Sequence, residues 1–136
     1  MTRQQLIALF IALAAVFGGW AYHTRKGAFT PPPEVAGEPG AEAFFHLGCV
    51  QCHTVTGLKG ANGTLGPPLD GLAQRAATRV KGLDAREYVK QSILEPAAFQ
   101  PEGFLNVMPS FKDKLSAQEL DTLVDWLLSL EPKHEP

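Results

Sequence analysis

Two thiols and an imidazole lie within five residues of one another, in the stretch Cys49-Val50-Gln51-Cys52-His53. The pattern C-x-x-C-H is typical of covalent c-type haem attachment, in which each thiol adds to one vinyl group of the porphyrin. Two intervening residues match the separation of the vinyl groups, and the next residue is placed to bind the iron. We therefore predict that Cys49 and Cys52 hold one haem c and that His53 is a metal ligand.

Three other sites use closely spaced cysteines. A thioredoxin-like dithiol also has the spacing C-x-x-C, but it needs a strand-helix-strand setting and no following histidine. A structural zinc site needs four ligands, and no second Cys/His pair is present. A disulfide that spans only two residues would be strained. The chain has two cysteines, both in the motif, and haem attachment remains the favoured interpretation.

Met108, within the stretch NVMPSF at 106–111, is the candidate for the second axial ligand. Iron that only carries electrons needs both axial positions filled, and the His/Met pair raises its reduction potential. The alternative role for Met108 is packing, which is the usual role of methionine. His23, His46 and His134 are rival ligands, although a position at the surface is the default for each.

The chain has 136 residues, of which 45% are hydrophobic. This length and composition predict one domain with a short appendage. The formal charge of −2 conceals an asymmetry. Residues 1–29 contain three basic side chains and no acidic ones, whereas the remaining 107 contain nine basic and fourteen acidic, or −5. This balance disfavours a nucleic-acid partner.

Residues 1–23 are predicted to be an uncleaved transmembrane anchor. Gln4 to Tyr22 is a run of 19 uncharged residues, and a helix of that length covers about 28 Å, close to the bilayer core of about 30 Å. Trp20 and Tyr22 are typical of the membrane interface. The rival is a cleaved signal peptide, for which Gly19-Trp20-Ala21 offers small residues at the cleavage site. Haem is attached outside the cytoplasmic membrane, so we expect the haem domain on the periplasmic side.

The rest of the chain predicts short helices and long loops. Residues 24–39 form a Pro/Gly-rich tether, for which three consecutive prolines favour a stiff, extended spacer. A helix is expected from Pro39 to Gly48, a glycine-rich loop over 54–68, and a helical turn at 70–75. Capping boxes at Asp84 and Ser116 open two further helices, ended by Pro96 and Pro132. No alternating β pattern is present, so we predict an all-α domain.

With these features in place, residues 40–131 resemble a class I cytochrome c, with 132–136 as a tail. The resemblance implies a cytochrome c fold of three to four short helices around a covalent haem. It implies that Gly40 and Phe44 of the first helix interlock with Trp126 of the last. It also implies that the Pro67 carbonyl, in Gly66-Pro67-Pro68-Leu69, accepts a hydrogen bond from the axial histidine. Such a bond fixes the tautomer of the histidine.

The segments at 88–96 and 106–111 are similar to the cytochrome c domains of some bacterial oxidase subunits II, although no cupredoxin domain precedes them here. The resemblance implies a one-electron carrier of a respiratory or photosynthetic chain, without enzyme activity or a small-molecule substrate. The expected donor is a quinol-oxidising complex, and the expected acceptor is a terminal oxidase or reaction centre. One alternative is a permanent mono-haem subunit of such a complex. Another is an enzyme or gas sensor with open iron.

Several polar residues have two interpretations. The candidates to contact a haem propionate or the methionine sulfur are Arg75, Tyr88 and Asn106. The alternative for each is a position at the surface. Three lysines, at positions 59, 112 and 114, are candidates for a partner-docking patch, but scattered lysines usually serve only solubility.

Overall fold

The structure is a computed structural model that describes residues 3–7 and 29–132. Residues 3–7 are helical. The second range contains four α-helices, which are α1 (Pro39–His46), α2 (Leu72–Ala76), α3 (Ala85–Leu94) and α4 (Ala117–Leu128). Short 3-10 turns lie at Pro33–Val35, Cys49–Gln51 and Pro96–Ala98. Within the described residues there is no strand, only an isolated antiparallel bridge between Thr54 and Asn62. The all-α prediction is confirmed.

Both predicted capping boxes are present. The Asp84 side chain accepts from the backbone N–H of Glu87, whose carboxylate accepts from the Asp84 N–H in return. Ser116 and Glu119 make the same reciprocal pair at the start of α4. Each box satisfies backbone donors that the first helical turn leaves free. These local signals explain why α3 and α4 begin where the sequence predicts.

Removing the α3 cap should have a measurable cost. We expect Asp84→Ala to lower the free energy of unfolding by about 1 kcal/mol, because the Glu87 N–H loses its acceptor. Asp84→Asn is the matched control, since asparagine caps as well as aspartate, and it should retain most of the stability. Denaturant unfolding of the haem-loaded protein measures both. Equal losses in the two variants would contradict the capping account.

Helices α1 and α4 pack closely at Gly40. A Cβ atom at position 40 would lie 2.3 Å from the Cβ of Trp126 and 2.7 Å from the carbonyl oxygen of Thr122. The ring of Phe44 lies beside that of Trp126, with a centroid distance of 5.2 Å. The implied interlock of the first and last helices is therefore confirmed. The α4 stripe Leu120, Leu123, Val124 and Leu127 is buried in the same core.

Helix α3 is held to α4 by a surface ion-pair network. The Arg86 and Lys90 side chains lie 2.9 and 2.5 Å from one Oδ1 atom of Asp121, and Arg86 also pairs with Asp125. Hydrogen bonds from Lys90 and Arg86 hold the pKa of Asp121 below its ordinary value. Exposed pairs of this kind contribute little stability.

The described part of the predicted tether differs from an extended spacer. Pro33–Val35 form a 3-10 turn, and Phe29 and Val35 pack against the core. The ring of Phe29 also approaches Gly48, directly before the haem motif. Apolar side chains on both sides of the proline run therefore fold this segment onto the domain.

Over residues 3–7 and 29–132, no helix is long and apolar enough to cross a membrane. The stretch from 8 to 23, which makes up most of the predicted anchor, lies outside the described residues.

Candidate haem-binding site

A large apolar cavity opens between the CxxCH motif, helices α3 and α4 and the loop at 95–110. Cys49, Cys52, His53 and Met108 all line it. The opposite walls are built from side chains of α3 and its neighbours, which are Tyr88, Val89, Ser92, Ile93, Phe99 and Phe111. None of the lining residues is Asp, Glu, Lys or Arg. The structure therefore brings the two thiols and both predicted ligands to one uncharged cavity.

The ring of His53 is oriented by the chain itself. Its Nδ1 atom lies 2.8 Å from the carbonyl oxygen of Pro67, and because a carbonyl only accepts, Nδ1 must donate its proton. Burial lowers the pKa of His53, an effect opposed by the bond to Pro67, which raises it. The neutral ring then has a free lone pair on Nε2. This neutral form of histidine is the one that binds metals.

The segment around Pro67 is fastened on both sides. The Gly66 N–H donates to the Cys52 carbonyl oxygen at 2.7 Å, which joins the loop to the haem motif. The Arg75 guanidinium donates to the Pro68 carbonyl oxygen at 2.6 Å and also to the carbonyl of Asp70. These bonds hold the Pro67 carbonyl against His53. Arg75, a candidate to reach a propionate, does not line the cavity.

Gly66 lies where only glycine fits, because a Cβ there would be 2.5 Å from Cε1 of His53. We expect Gly66→Ala to push the imidazole away from Pro67. The variant should lose about 2 kcal/mol of stability through overpacking and show an altered midpoint potential, since the hydrogen bond from His53 to Pro67 tunes the predicted iron ligand.

The matched control is Gly57→Ala in the same loop, where φ is +80° and no atom lies within 4 Å of the added Cβ. This variant carries backbone strain of about 1 kcal/mol but leaves His53 untouched. Its midpoint potential, measured by redox titration, should equal that of the wild type. A shift of the same size in both variants would contradict the role given to Gly66.

The chemistry of the cysteines argues against a redox dithiol. Burial raises the pKa of Cys49 to about 12, whereas a reactive dithiol needs a lowered thiol pKa. The two thiols are not joined in a disulfide. Among the described residues no group of three or more His, Cys, Asp or Glu side chains is arranged to hold a metal ion.

The loop that carries Met108 is tied to the end of α3. The Ser110 hydroxyl donates to the Leu94 carbonyl oxygen at 2.6 Å, and the Phe111 N–H donates to the Ile93 carbonyl at 3.1 Å. Phe111 is buried, and Met108 is half-buried against the core. Two hydrogen bonds and one buried ring therefore place Met108 at the cavity wall.

The other candidate residues have different positions. His46 is exposed, while His23 and His134 lie outside the described residues. Tyr88 is buried, with its ring edge-on to Phe99 at 5.7 Å. Asn106 is exposed at the cavity mouth.

The sequence analysis did not identify several side chains of the cavity. Phe99 forms part of the wall, and Leu65, Leu105 and Val107 lie at the mouth. Val89 and Ile93 lie four residues apart on α3, and this helical spacing of apolar residues would have identified them as part of the buried wall. The mouth residues are in loops, where no periodicity marks them.

These features fit a haem. An uncharged cavity suits a large apolar ring, the two thiols suit its vinyl groups, and Gly66 leaves space for the imidazole that the CxxCH pattern assigns to iron. A family model described as Cytochrome c matches residues 37–131, which is more than two thirds of the chain. The chain belongs to the cytochrome c family.

A search of curated proteins found no match to the chain. Membership of the cytochrome c family, class I, establishes the cofactor as covalent haem c, and Cys49 and Cys52 fit its attachment motif. Proteins of this family are electron-carrier haem proteins that work with redox partner proteins.

Proposed function

We propose that this protein is a one-electron carrier in which His53 and Met108 would bind the haem iron. Bound haem supplies the redox change, one electron per cycle between Fe(II) and Fe(III). The chain attaches the cofactor, orients His53 through Pro67 and holds Met108 on a fastened loop. If both residues bind the iron, no ligand position would remain there for a substrate.

One observation carries the proposal, namely that His53, Met108 and both thiols line the same cavity. The oriented Nε2 lone pair of His53 and the thioether of Met108 make the ligand pair associated with high-potential carriers. The presence of this ligand pair in one cavity supports electron transfer.

The apolar lining should also affect the midpoint potential. A hydrophobic shell lowers the local dielectric constant and favours the iron state of lower charge, which is Fe(II). Together with methionine ligation, this raises the reduction potential. Potentiometric titration of the purified full chain should give one reversible step for a single electron. Two steps, or an irreversible couple, would count against the proposal.

For the cellular setting, we infer that residues 1–23 anchor the protein and that the haem domain works at the outer, periplasmic face of the membrane. The support is the uncharged run from Gln4 to Tyr22 together with the requirement for haem attachment outside the cytoplasm. A quinol-oxidising complex is the expected donor, and a terminal oxidase or reaction centre is the expected acceptor. Anchoring would raise the effective concentration of the carrier near its donor and its acceptor.

Membrane fractionation tests this setting and its alternative. The carrier should stay in the membrane fraction after a high-salt wash and leave it in detergent as a single-haem species near the chain mass of 14.7 kDa. Co-purification with large subunits would favour a permanently bound subunit of a quinol-oxidising or terminal oxidase complex. In that case the small residues of the anchor would provide a helix-packing face, and these are Ala8, Ala12, Ala15, Gly18 and Gly19. Recovery in the salt wash would contradict anchoring.

A further inference from the structure

Two segments of the chain lie side by side at the haem motif. Residues 52–56 contain the end of the motif, and residues 66–70 contain Pro67. Hydrogen bonds join the two segments at successive pairs of residues, which are Cys52 with Gly66, His53 with Pro67, Thr54 with Leu69 and Thr56 with Asp70. The bond that orients His53 is therefore one of a row, and it depends on the alignment of the two segments.

The last pair of the row is made by a carboxylate. The Thr56 N–H donates to Oδ1 of Asp70 at 2.8 Å, and the Thr56 hydroxyl donates to Oδ2 at 3.1 Å. Both carboxylate oxygens therefore bind the same residue of the opposite segment. Hydrogen bonds to an ionised acceptor are stronger than those between neutral groups. The half-buried Asp70 side chain thus fastens the end of the row that is farthest from Cys52.

Two consecutive prolines make this fastening important. Pro67 and Pro68 have no N–H group, so neither can donate a backbone hydrogen bond to the neighbouring segment. The position of the Pro67 carbonyl therefore depends on the residues before and after the two prolines. Arg75 donates to the carbonyls of Pro68 and Asp70, which belong to its own side of the contact. It shapes the loop without joining it to the haem motif, whereas the Asp70 carboxylate makes that connection.

We propose that Asp70 is a positioning residue for His53. By binding Thr56 through both carboxylate oxygens, it keeps the Pro67 carbonyl in line with Nδ1 of the imidazole. The inference rests on the proposed electron-carrier function and deepens it, because it names a residue that tunes the predicted iron ligand. A hydrogen bond from Nδ1 raises the basicity of a metal-binding histidine, and a more basic ligand favours Fe(III). Loss of the Asp70 carboxylate should therefore weaken this bond and raise the midpoint potential.

Two measurements on the haem-loaded full chain test this role. NMR of the reduced protein with isotope-labelled histidine follows the exchange of the His53 Nδ1 proton with solvent, and redox titration gives the midpoint potential. In Asp70→Ala we expect exchange about tenfold faster, as for the loss of a hydrogen bond of ordinary net strength, together with a higher potential. Thr56→Val removes the hydroxyl donor but keeps the N–H, so it should change both quantities in the same direction by less. Asp70→Asn should behave as the wild type in proton exchange, because its amide oxygen still accepts from the Thr56 N–H.

Asp84→Ala is the matched control, since it also removes a carboxylate that accepts from a backbone N–H, but at the start of α3. It should lower stability and leave the proton exchange and the potential unchanged. Equal effects of Asp70→Ala and Asp84→Ala would overturn the proposal, because destabilisation alone would then explain both. Asp70→Asn exchanging as fast as Asp70→Ala would overturn it as well, since lost charge would then be the cause. A wild-type chain without a reversible one-electron step would contradict the carrier function instead, and the proton exchange would still test the position of Pro67.

Discussion

Replacing Met108 with leucine is expected to lower the midpoint potential by roughly 0.2 V, within the range of about 0.8 V over which axial ligands set haem potentials. Leucine fills a similar volume at the half-buried position but has no lone pair. The oxidised protein should lose its weak sulfur-to-iron charge-transfer band, and the reduced protein should gain affinity for carbon monoxide. Redox titration and optical spectroscopy measure these effects. Covalent attachment through Cys49 and Cys52 should be unaffected.

A leucine–methionine exchange away from the cavity provides the control. Leu130 is partly buried against the core and does not line the cavity, so Leu130→Met should leave the potential and the spectrum unchanged. Volume-conserving exchanges of this kind usually cost less than about 1.5 kcal/mol. If Met108→Leu and Leu130→Met both behaved as the wild type, methionine ligation at position 108 would be wrong.

Replacing Gly40 with alanine is expected to have the largest effect on stability. The new Cβ would lie 2.3 Å from the Cβ of Trp126, and truncating Trp126 to alanine would not relieve this contact because that atom remains. Helices α1 and α4 must therefore separate. We expect a loss of about 3 kcal/mol, at the upper end of overpacking costs, and a melting temperature lower by roughly 10–20 °C for a domain of this size.

Gly37→Ala separates this steric effect from backbone strain. Gly37 has a φ of +91° and no atom within 4 Å of an added Cβ, so only strain of about 1 kcal/mol applies. Thermal unfolding of the oxidised haem-loaded protein compares the two variants. A loss at Gly40 no greater than that at Gly37 would contradict the close packing of the first and last helices.

Local signals in the sequence predicted much of the helical framework. In each capping box the two partners are three residues apart in the sequence, Asp84 with Glu87 and Ser116 with Glu119. Both helix starts could therefore be predicted without any tertiary information. The α4 stripe that begins at Leu120 repeats at helical spacing and is buried as expected. The contact between Gly40 and Trp126 joins residues far apart in the chain, and only resemblance to a family indicated it.

Features that depend on contacts between distant loops were not predictable. Phe29 looked like part of a spacer, yet it packs against the core. Arg75 has the charge that would bind a propionate, but its guanidinium instead donates hydrogen bonds to the carbonyls of Pro68 and Asp70. The apolar mouth brings Leu65 and Leu105 together from loops forty residues apart. Loop residues carry no periodicity that would reveal such neighbours.

The central claim is that His53 and Met108 both bind the haem iron in the resting protein. The optical spectrum of the wild-type haem-loaded chain tests it most directly, recorded oxidised at neutral pH and then reduced under carbon monoxide. We expect the sulfur-to-iron charge-transfer band in the oxidised form and no spectral change when the gas is added to the reduced form. An absent band together with ready binding of carbon monoxide would contradict the claim and indicate an open iron site.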